Sequence, residues 1–262
     1  MPHLRVNDTE LHYLDEGQGE RVVLFLHAFP LSSAMWSRQV AEVAKDHRVI
    51  APDYRGLGRS APSAEISSMS LLARDVQALL GARGIARAAL VGLSMGGYLS
   101  FELYRQAPEL FRGLALADTR ASADTAEGRA GREDFARGAL AHGLGWVADQ
   151  LTPKLLRPTP SAAAVAELHA LIAAGTPEGV AAAQRGMAER PDSFGTLASI
   201  TCPTLVLVGA EDTLTPPADA EAMRAKLPKA ELVYIPEAGH ISCIENPNAF
   251  TRALRDFLAA LP

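Results

Sequence analysis

Short apolar runs without polar alternation recur along the chain, and segments whose apolar residues have helical spacing lie between them. The runs cover 22–26, 49–51, 88–91, 114–117, 205–208 and 232–235. Such runs are typical of buried strands in a parallel sheet. The helical segments cover 35–44, 71–80, 98–106, 218–227 and 250–261. This alternation predicts an α/β fold in which helices cover both faces of a mostly parallel sheet.

Two parts of the chain depart from the alternation. Near the start, the segments 4–6 and 11–14 have the pattern of short strands around a polar turn at 7–9, and they predict an antiparallel hairpin. From 119 to 196 the chain is rich in Ala, Gly, Glu and Arg, with prolines between helical pieces and no strand pattern. We therefore predict an α/β core over residues 1–118 and 197–262 and an inserted helical cap over 119–196, which would cover the loops beyond the strands.

The composition is that of a globular domain, with 48% hydrophobic and 21% charged residues in a chain of 262. A formal net charge of -5 and the lack of a basic cluster argue against nucleic acid as a partner. No run of about 18 apolar residues and no leader-like start is present, so we expect a cytoplasmic protein without a membrane partner. The oligomeric state stays open, with a homo-oligomer among the options.

Cys202 and Cys243 are the two cysteines of the sequence. Two thiols are too few for a disulfide framework, and their spacing is not that of metal ligands. We expect both to be reduced, and we expect neither a metal nor a cofactor.

A serine flanked by glycines lies directly after one apolar run and directly before a helical segment. The motif is Gly92-Leu93-Ser94-Met95-Gly96. A sharp turn at this point needs glycines where strand and helix approach each other, and it projects the serine hydroxyl outward. The pattern alone is weak, because a packed glycine turn with an incidental serine has the same sequence. Its strand-turn-helix context predicts Ser94 as a catalytic nucleophile.

Two further residues follow later strands and complete a candidate catalytic triad. His240 lies just beyond the last apolar run, and a histidine suits the general base because its pKa is near neutrality. Asp212 follows the preceding run, where a carboxylate can hold the imidazole tautomer. The alternatives are a loop histidine bonded to backbone, a helix-capping role for Asp212, and Asp118 as the acid.

The loop His27-Ala28-Phe29-Pro30 follows the first buried run, where it can stabilise developing negative charge. The backbone N–H of Phe29, paired with that of Met95, would form an oxyanion hole. We expect His27 to hold this loop in place and to take no part in catalysis.

Asp53 also follows a buried run, in the loop over 52–60. Its carboxylate can satisfy backbone donors and the nearby Arg55. We therefore predict that Asp53 organises this loop and leave it out of the triad.

These motifs together resemble the α/β-hydrolase family over nearly the whole chain. The loops at 27–31, 53–60, 190–193, 212–217 and 239–242 are similar to those of 3-oxoadipate enol-lactonases, small-molecule carboxylesterases and cofactor-free haloperoxidase-like perhydrolases. The resemblance implies cleavage of an ester or lactone through an acyl-enzyme. Ala28 departs from the glycine usual in the family. Ser94 argues against relatives with an aspartate nucleophile, the haloalkane dehalogenases and epoxide hydrolases.

The leading functional hypothesis is therefore a serine hydrolase for small carboxylic esters or lactones. Its acyl group, alcohol group and stereopreference stay open. An apolar pocket lining is expected from a set of large side chains: Phe29, Trp36, Met95, Trp146, Met187 and Leu214.

Three alternatives remain. The chain could be an enol-lactonase for a dicarboxylate, which would need a cation in the pocket. The arginines of the cap that could supply it include Arg120, Arg129, Arg132 and Arg137. Perhydrolysis or haloperoxidase-like chemistry on the same triad is expected as a side activity at most. The third alternative is a hydrolase-fold receptor that binds a small ligand without rapid turnover.

Overall fold

The computed structural model describes residues 2–61 and 66–262, and within them one sheet of eight strands forms. The spatial order of the strands is β1-β2-β4-β3-β5-β6-β7-β8. The first two strands pair antiparallel, as the hairpin prediction requires, and β3 to β8 run parallel. The strand bounds are β1 His3–Val6, β2 Thr9–Glu16, β3 Val22–Leu26, β4 Arg48–Pro52, β5 Ala88–Leu93, β6 Phe111–Ala117, β7 Thr204–Gly209 and β8 Ala230–Ile235.

Helices follow the strands in sequence and confirm the predicted α/β class. They are α1 Ser37–Val43, α2 Met69–Ala82, α3 Met95–Gln106, α4 Ala126–Leu155, α5 Ala162–Ala173, α6 Pro177–Ala188, α7 Phe194–Leu197, α8 Pro217–Arg224, α9 Ser242–Glu245 and α10 Pro247–Ala260. None of the helices formed by the described residues combines the length and the apolar character needed to cross a membrane.

The central strands are buried over their whole length, but β8 is not. Every residue of β3, β5 and β7 is buried, as their continuous apolar runs predict. In β8 only Ile235 is buried, and Tyr234 is 46% exposed. The prediction of a buried strand at 232–235 is therefore wrong. The reason is topological, because β8 is the last strand of the sheet and pairs only with β7.

Helices α4 to α7 follow one another between β6 and β7, and no strand lies among them in this fully described stretch. Helix α4 packs against both α5 and α6. Its axis changes direction at Gly143, which has φ +77°. Pro153 lies inside α4 and does not end it, contrary to the interpretation of that proline as a break. The division into core and cap at residues 119 and 196 stays a prediction.

Strand β5 and helix α3 approach each other so closely that Gly92 in the strand and Gly96 in the helix have no room for side chains. A Cβ added at Gly92 would collide with the carbonyl oxygen of Gly96, and one added at Gly96 would collide with that of Leu26. This contact holds the start of α3 against the ends of β5 and β3. It places Ser94 at the carboxyl edge of the sheet, where loops from other strands converge.

Replacing Gly96 with alanine should lower the free energy of unfolding by about 2 kcal/mol or more, because a methyl group would be forced into backbone atoms. Urea denaturation monitored by circular dichroism measures this. Gly81→Ala in α2 is the matched control, since an added Cβ there meets no atom within 4 Å. That control should change stability by less than about 1 kcal/mol. Equal effects of the two substitutions would contradict the close approach.

Candidate active site

Ser94 occupies the sharp turn between β5 and α3. Its backbone has φ +54° and ψ -112°, a conformation that a non-glycine residue adopts only when its surroundings impose it. The Ser94 carbonyl accepts hydrogen bonds from the Gly97 N–H at 2.9 Å and from the Thr119 hydroxyl at 2.8 Å. These bonds hold the turn, and the Ser94 side chain is left facing the histidine loop.

His240 joins Ser94 to Asp212. The His240 Nε2 lies 2.8 Å from the Ser94 Oγ, and its Nδ1 lies 2.9 Å from the Asp212 Oδ2. The His240 and Asp212 side chains are fully buried. An ionised carboxylate has no proton to give, so Nδ1 carries the ring proton and Nε2 is free to accept the serine proton. The structure thus brings together the three residues that the sequence singled out.

Several donors converge on the Asp212 carboxylate. Its Oδ1 accepts the backbone N–H groups of Leu214 at 2.8 Å and Thr215 at 3.0 Å. Its Oδ2 accepts the Thr215 hydroxyl at 2.7 Å as well as His240. Burial acts to raise the pKa of Asp212, but the charge and hydrogen bond of His240 and the bonds from Thr215 outweigh it, and the pKa is lowered. Asp212 is therefore held as an anion.

Asp118, the alternative acid, lies nearby but does not contact His240. Its Oδ1 accepts the Gly209 N–H at 2.7 Å, and its Oδ2 accepts the Ser242 hydroxyl at 2.5 Å. Burial, and after it the neighbouring Asp212 charge, raises the pKa of Asp118 well above its ordinary value. Asp118 thus ties the end of β7 to the loop that carries His240, and Asp212 is the carboxylate next to the imidazole.

The loop after β3 brings Phe29 to the same site. Ala28 is not among the non-glycine residues of positive φ in the described chain, so alanine is accommodated there without backbone strain. The backbone N–H groups of Phe29 and Met95 have no hydrogen-bond acceptor in other elements or loops of the described residues. Met95 is the first residue of α3, where N–H groups have no partner within the helix. Two backbone donors therefore remain available near Ser94.

His27 fixes this loop through hydrogen bonds to the backbone. Its Nδ1 lies 2.9 Å from the Ala28 carbonyl oxygen, and its Nε2 accepts the Tyr54 N–H at 3.1 Å. The imidazole also stacks on the Tyr54 ring at 3.8 Å between centroids. Burial lowers the pKa of His27 from 6.5 to about 4, so the ring is neutral. The geometry agrees with the structural role expected for His27.

Asp53 organises the loop after β4, although with a different side-chain partner from the one expected. It accepts the Ser33 N–H at 2.7 Å and the Arg59 N–H at 2.9 Å, and it lies 2.8 Å from the His12 Nδ1. The expected pairing of Asp53 with Arg55 is wrong. Arg55 instead forms a buried ion pair with Asp75 on α2, and it also pairs at 2.6 Å with Asp8, whose side chain is exposed in the β1-β2 turn.

A cavity of about 380 Å³ opens beside Ser94, between the sheet and helices α4 and α6. Phe29, Met187 and Leu214 line it, as expected. Trp36 does not, because it is packed in the core between Phe25 and Phe250. The prediction that Trp36 lines the pocket is therefore wrong. The full lining is Phe29, Ser94, Tyr98, Arg120, Asp124, Gly128, Gly131, Arg132, Phe135, Leu151, Lys154, Leu155, Gln184, Met187 and Leu214.

Trp146 and Met95 also lie outside this lining. Trp146 contacts the back of Phe135, with ring centroids 5.1 Å apart, and it therefore supports the wall from behind. The Met95 side chain is fully buried in the core. Tyr98 and Phe135 are large side chains that line the cavity without having been predicted to do so. Apolar periodicity does not distinguish a wall residue from the one behind it.

Cationic side chains stand in the cavity wall. Arg120, Arg132 and Lys154 line it, whereas Arg129 lies in a different groove and Arg137 is exposed on α4. Lys154 was not predicted, and no motif marks it.

One carboxylate in the wall, Asp124, partly offsets these cations. It accepts from Arg132 and Arg190, which outweigh the effect of burial and hold the pKa of Asp124 at about 2. Arg120 is 3.9 Å from Asp124, and its Nε is buried without a partner among the described residues.

A larger groove of about 580 Å³ lies between β8 and α10, and Ser94, Asp212 and His240 are not among its lining residues. The described residues also contain no group of three or more His, Cys, Asp or Glu side chains arranged to hold a metal ion.

Known proteins share this architecture. Residues 21–247 match the model of a family described as alpha/beta hydrolase fold. The chain is 31% identical to 3-oxoadipate enol-lactonase 2 of Acinetobacter baylyi, over 96% of this chain and 94% of that protein. A malate-bound thermophilic esterase from Thermogutta terrifontis superimposes with a TM-score of 0.93 at 39% identity, covering 96% of this chain and 93% of the other. The enol-lactonase from Burkholderia xenovorans superimposes with a TM-score of 0.89 at 29% identity, covering 98% of this chain and 100% of the other.

The depressed pKa of His27 predicts a pH-dependent stability. Between pH 6.5 and 4 the unfolded chain binds a proton at this position that the folded chain does not, so stability falls as the pH is lowered through this window. The loss attributable to His27 should be roughly 3 kcal/mol. It is measured as the difference in unfolding free energy between wild type and His27→Asn at pH 7 and at pH 4.

The exposed His142 of α4 serves as the control. His142→Asn should leave the wild-type pH dependence of stability unchanged. A difference between wild type and His27→Asn that stays constant across this pH range would contradict a neutral, buried His27.

Proposed function

The chain belongs to the α/β-hydrolase fold family, and on that premise we propose that it is a serine hydrolase that cleaves ester or lactone bonds of small molecules through an acyl-enzyme. The observation that carries the proposal is the continuous contact from the Ser94 Oγ through His240 to Asp212, at 2.8 and 2.9 Å. Ser94 also lines a cavity that is large enough to hold a small molecule. The family alone does not determine the reaction, because the same fold supports several chemistries.

In the first half of the reaction, the Ser94 hydroxyl attacks the carbonyl carbon of the substrate while the His240 Nε2 takes the hydroxyl proton. The resulting imidazolium is stabilised by Asp212, which is held as an anion. When the tetrahedral intermediate collapses, the carbon-oxygen bond to the alcohol breaks, and His240 returns its proton to the departing oxygen. An ester releases its alcohol at this point, whereas a lactone stays attached through its acyl end.

In the second half, water attacks the acyl-enzyme. His240 takes a proton from that water and returns one to the Ser94 Oγ as the acid is released. The Phe29 and Met95 N–H groups are proposed to bind the oxyanion in both halves. Their lack of other hydrogen-bond acceptors among the described residues supports this assignment.

Ser94→Ala should reduce kcat/KM for p-nitrophenyl butyrate by about 10⁴-fold or more, because the nucleophile is lost while the cavity is retained. Steady-state hydrolysis of the acetate, butyrate and octanoate esters measures this, with circular dichroism to check folding. Wild type should also be labelled at Ser94 by a fluorophosphonate. Ser37→Ala, at an exposed position on α1, is the control and should retain activity.

Folded wild type that neither hydrolyses these esters nor reacts with the fluorophosphonate would rule out the proposal. The receptor alternative, a protein that binds a small ligand without rapid turnover, would then be favoured.

A second candidate, a narrower form of the first, is hydrolysis of a substrate that bears its own carboxylate, as an enol-lactone of a dicarboxylic acid does. The observation that favours it is the set of cations in the cavity wall. Asp124 has strong partners in Arg132 and Arg190, whereas Arg120 is 3.9 Å from it with its Nε unpaired. Lys154 forms no ion pair among the described residues. A substrate carboxylate would supply a partner for the Arg120 Nε and an anion closer to Arg120 than Asp124 is.

Two substrates with the same leaving group and chain length separate charge recognition from catalysis: the p-nitrophenyl monoester of glutaric acid and p-nitrophenyl pentanoate. Arg120→Gln should lower kcat/KM for the glutarate monoester by about tenfold or more, because a charge-assisted hydrogen bond is lost. The neutral ester should change by less than about twofold. Arg137→Gln, at an exposed position away from the cavity, is the control. Equal losses on both esters would argue against carboxylate recognition by Arg120.

A further inference from the structure

The Thr215 hydroxyl lies against both of the residues that act on Ser94. Its Oγ1 donates to the Asp212 Oδ2 at 2.7 Å and is 3.1 Å from the His240 Nδ1. Thr215 follows β7 in the loop that carries Asp212, and it is 1% exposed. Water therefore does not reach this group to take its place.

The hydrogen-bond donors and acceptors of Thr215, Asp212 and His240 fit together in one arrangement of their protons. A hydroxyl has a single proton, and here it is directed to the Asp212 carboxylate, so the Thr215 oxygen presents only lone pairs to the His240 Nδ1. Nδ1 then faces two acceptors, the Asp212 Oδ2 at 2.9 Å and the Thr215 Oγ1 at 3.1 Å. Only the tautomer with the proton on Nδ1 satisfies both. That tautomer leaves Nε2 as the acceptor for Ser94.

We propose that Thr215 is a positioning residue, whose hydroxyl fixes the Asp212 carboxylate and the ring tautomer of His240 for the attack by Ser94. The proposal rests on the function proposed above. Thr215 does not touch the reacting atoms, so it acts through Asp212 and His240 alone.

Other charged groups face Asp212, but none replaces the hydroxyl. Asp118, at the end of β6, directs its carboxyl to Gly209 and Ser242. Burial raises the pKa of Asp219 on α8, and the charge of Asp212 adds to this effect while Arg120 opposes it. The side chains that bond to Asp212 in the described chain are those of His240 and Thr215. Removing the Thr215 hydroxyl therefore leaves the Oδ2 with His240 as its sole partner.

Two effects follow from that loss. The carboxylate gains freedom to rotate, which lowers the fraction of molecules with His240 in line with Ser94. Its negative charge is also less neutralised. Because the bond to the Asp212 Oδ2 at 2.7 Å is shorter than the 3.1 Å contact with the His240 Nδ1, this effect outweighs the loss of the Thr215 oxygen as an acceptor, and the imidazolium is more stable. The base must be neutral to accept the serine proton, and a more stable imidazolium persists to higher pH. The acid limb of the kcat/KM profile should therefore move to higher pH.

The experiment compares Thr215→Val, which keeps the shape without the hydroxyl, with Thr215→Ser, which keeps the hydroxyl. For Thr215→Val we expect kcat for p-nitrophenyl butyrate to fall about tenfold with KM changed less than about twofold. The midpoint of the acid limb should rise by about 0.5 pH unit or more. Thr215→Ser should restore both properties to near wild-type values. Thr213→Val, at an exposed position in the same loop, is the matched control.

If Thr215→Val fails to fold, Thr215→Ala removes the same hydroxyl without a methyl group in its place. Hydroxyl-free variants with unchanged kcat and an unmoved acid limb would overturn the inference while wild-type activity upholds the proposed function. A loss of kcat that Thr215→Ser does not rescue would also overturn it, since packing would then be responsible.

If wild type lacks esterase activity, the pH dependence of fluorophosphonate labelling at Ser94 gives the same comparison. Wild type that is neither active nor labelled would overturn the proposed function and this inference with it.

Discussion

The close approach of α3 to strands β5 and β3 is the constraint on which the candidate site depends. Glycines at 92 and 96 allow backbone to contact backbone, and the turn between them holds Ser94 at φ +54°. A residue in that conformation is strained. The strain is maintained because α3 packs on β5 and β3 and because the Thr119 hydroxyl bonds to the Ser94 carbonyl. The serine hydroxyl is thereby presented at the sheet edge with the start of a helix beneath it.

Around that turn, buried carboxylates organise the loops, and each is satisfied by its own set of donors. Asp53 holds the loop after β4, Asp118 joins β7 to the histidine loop, and Asp212 orients His240. A buried polar group without hydrogen-bond partners would be costly, so each of these side chains selects one arrangement of the backbone groups around it. The three acids thus have distinct roles that their residue type does not reveal. Their hydrogen-bond partners distinguish the acid next to the base from the two that hold structure.

The charged side chains of the cavity wall come from the part of the chain between β6 and β7. The cations of the wall outnumber its carboxylate, and Arg132 and Arg190 both bind Asp124. A wall of this kind favours an anionic substrate over a neutral one of equal size, because a charge in a confined site is less screened than at the surface. In the proposed function the sheet edge cleaves the bond and the wall selects the substrate, and the two come from different parts of the chain.

Local sequence signals were enough to predict the α/β class, the strands, the five helices placed between them, and Ser94, Asp212 and His240 as the residues that meet. These depend on signals local in the chain, namely apolar periodicity and the turn residues that follow each strand. Tertiary structure alone decided that Trp36 lies in the core, that Lys154 and Arg120 face the cavity, that Arg55 pairs with Asp75, and that Thr215 bonds to Asp212. The exposure of β8 likewise follows from its place at the sheet edge. Such contacts join residues through space, and their partners are set by packing distances and desolvation, which no local pattern encodes.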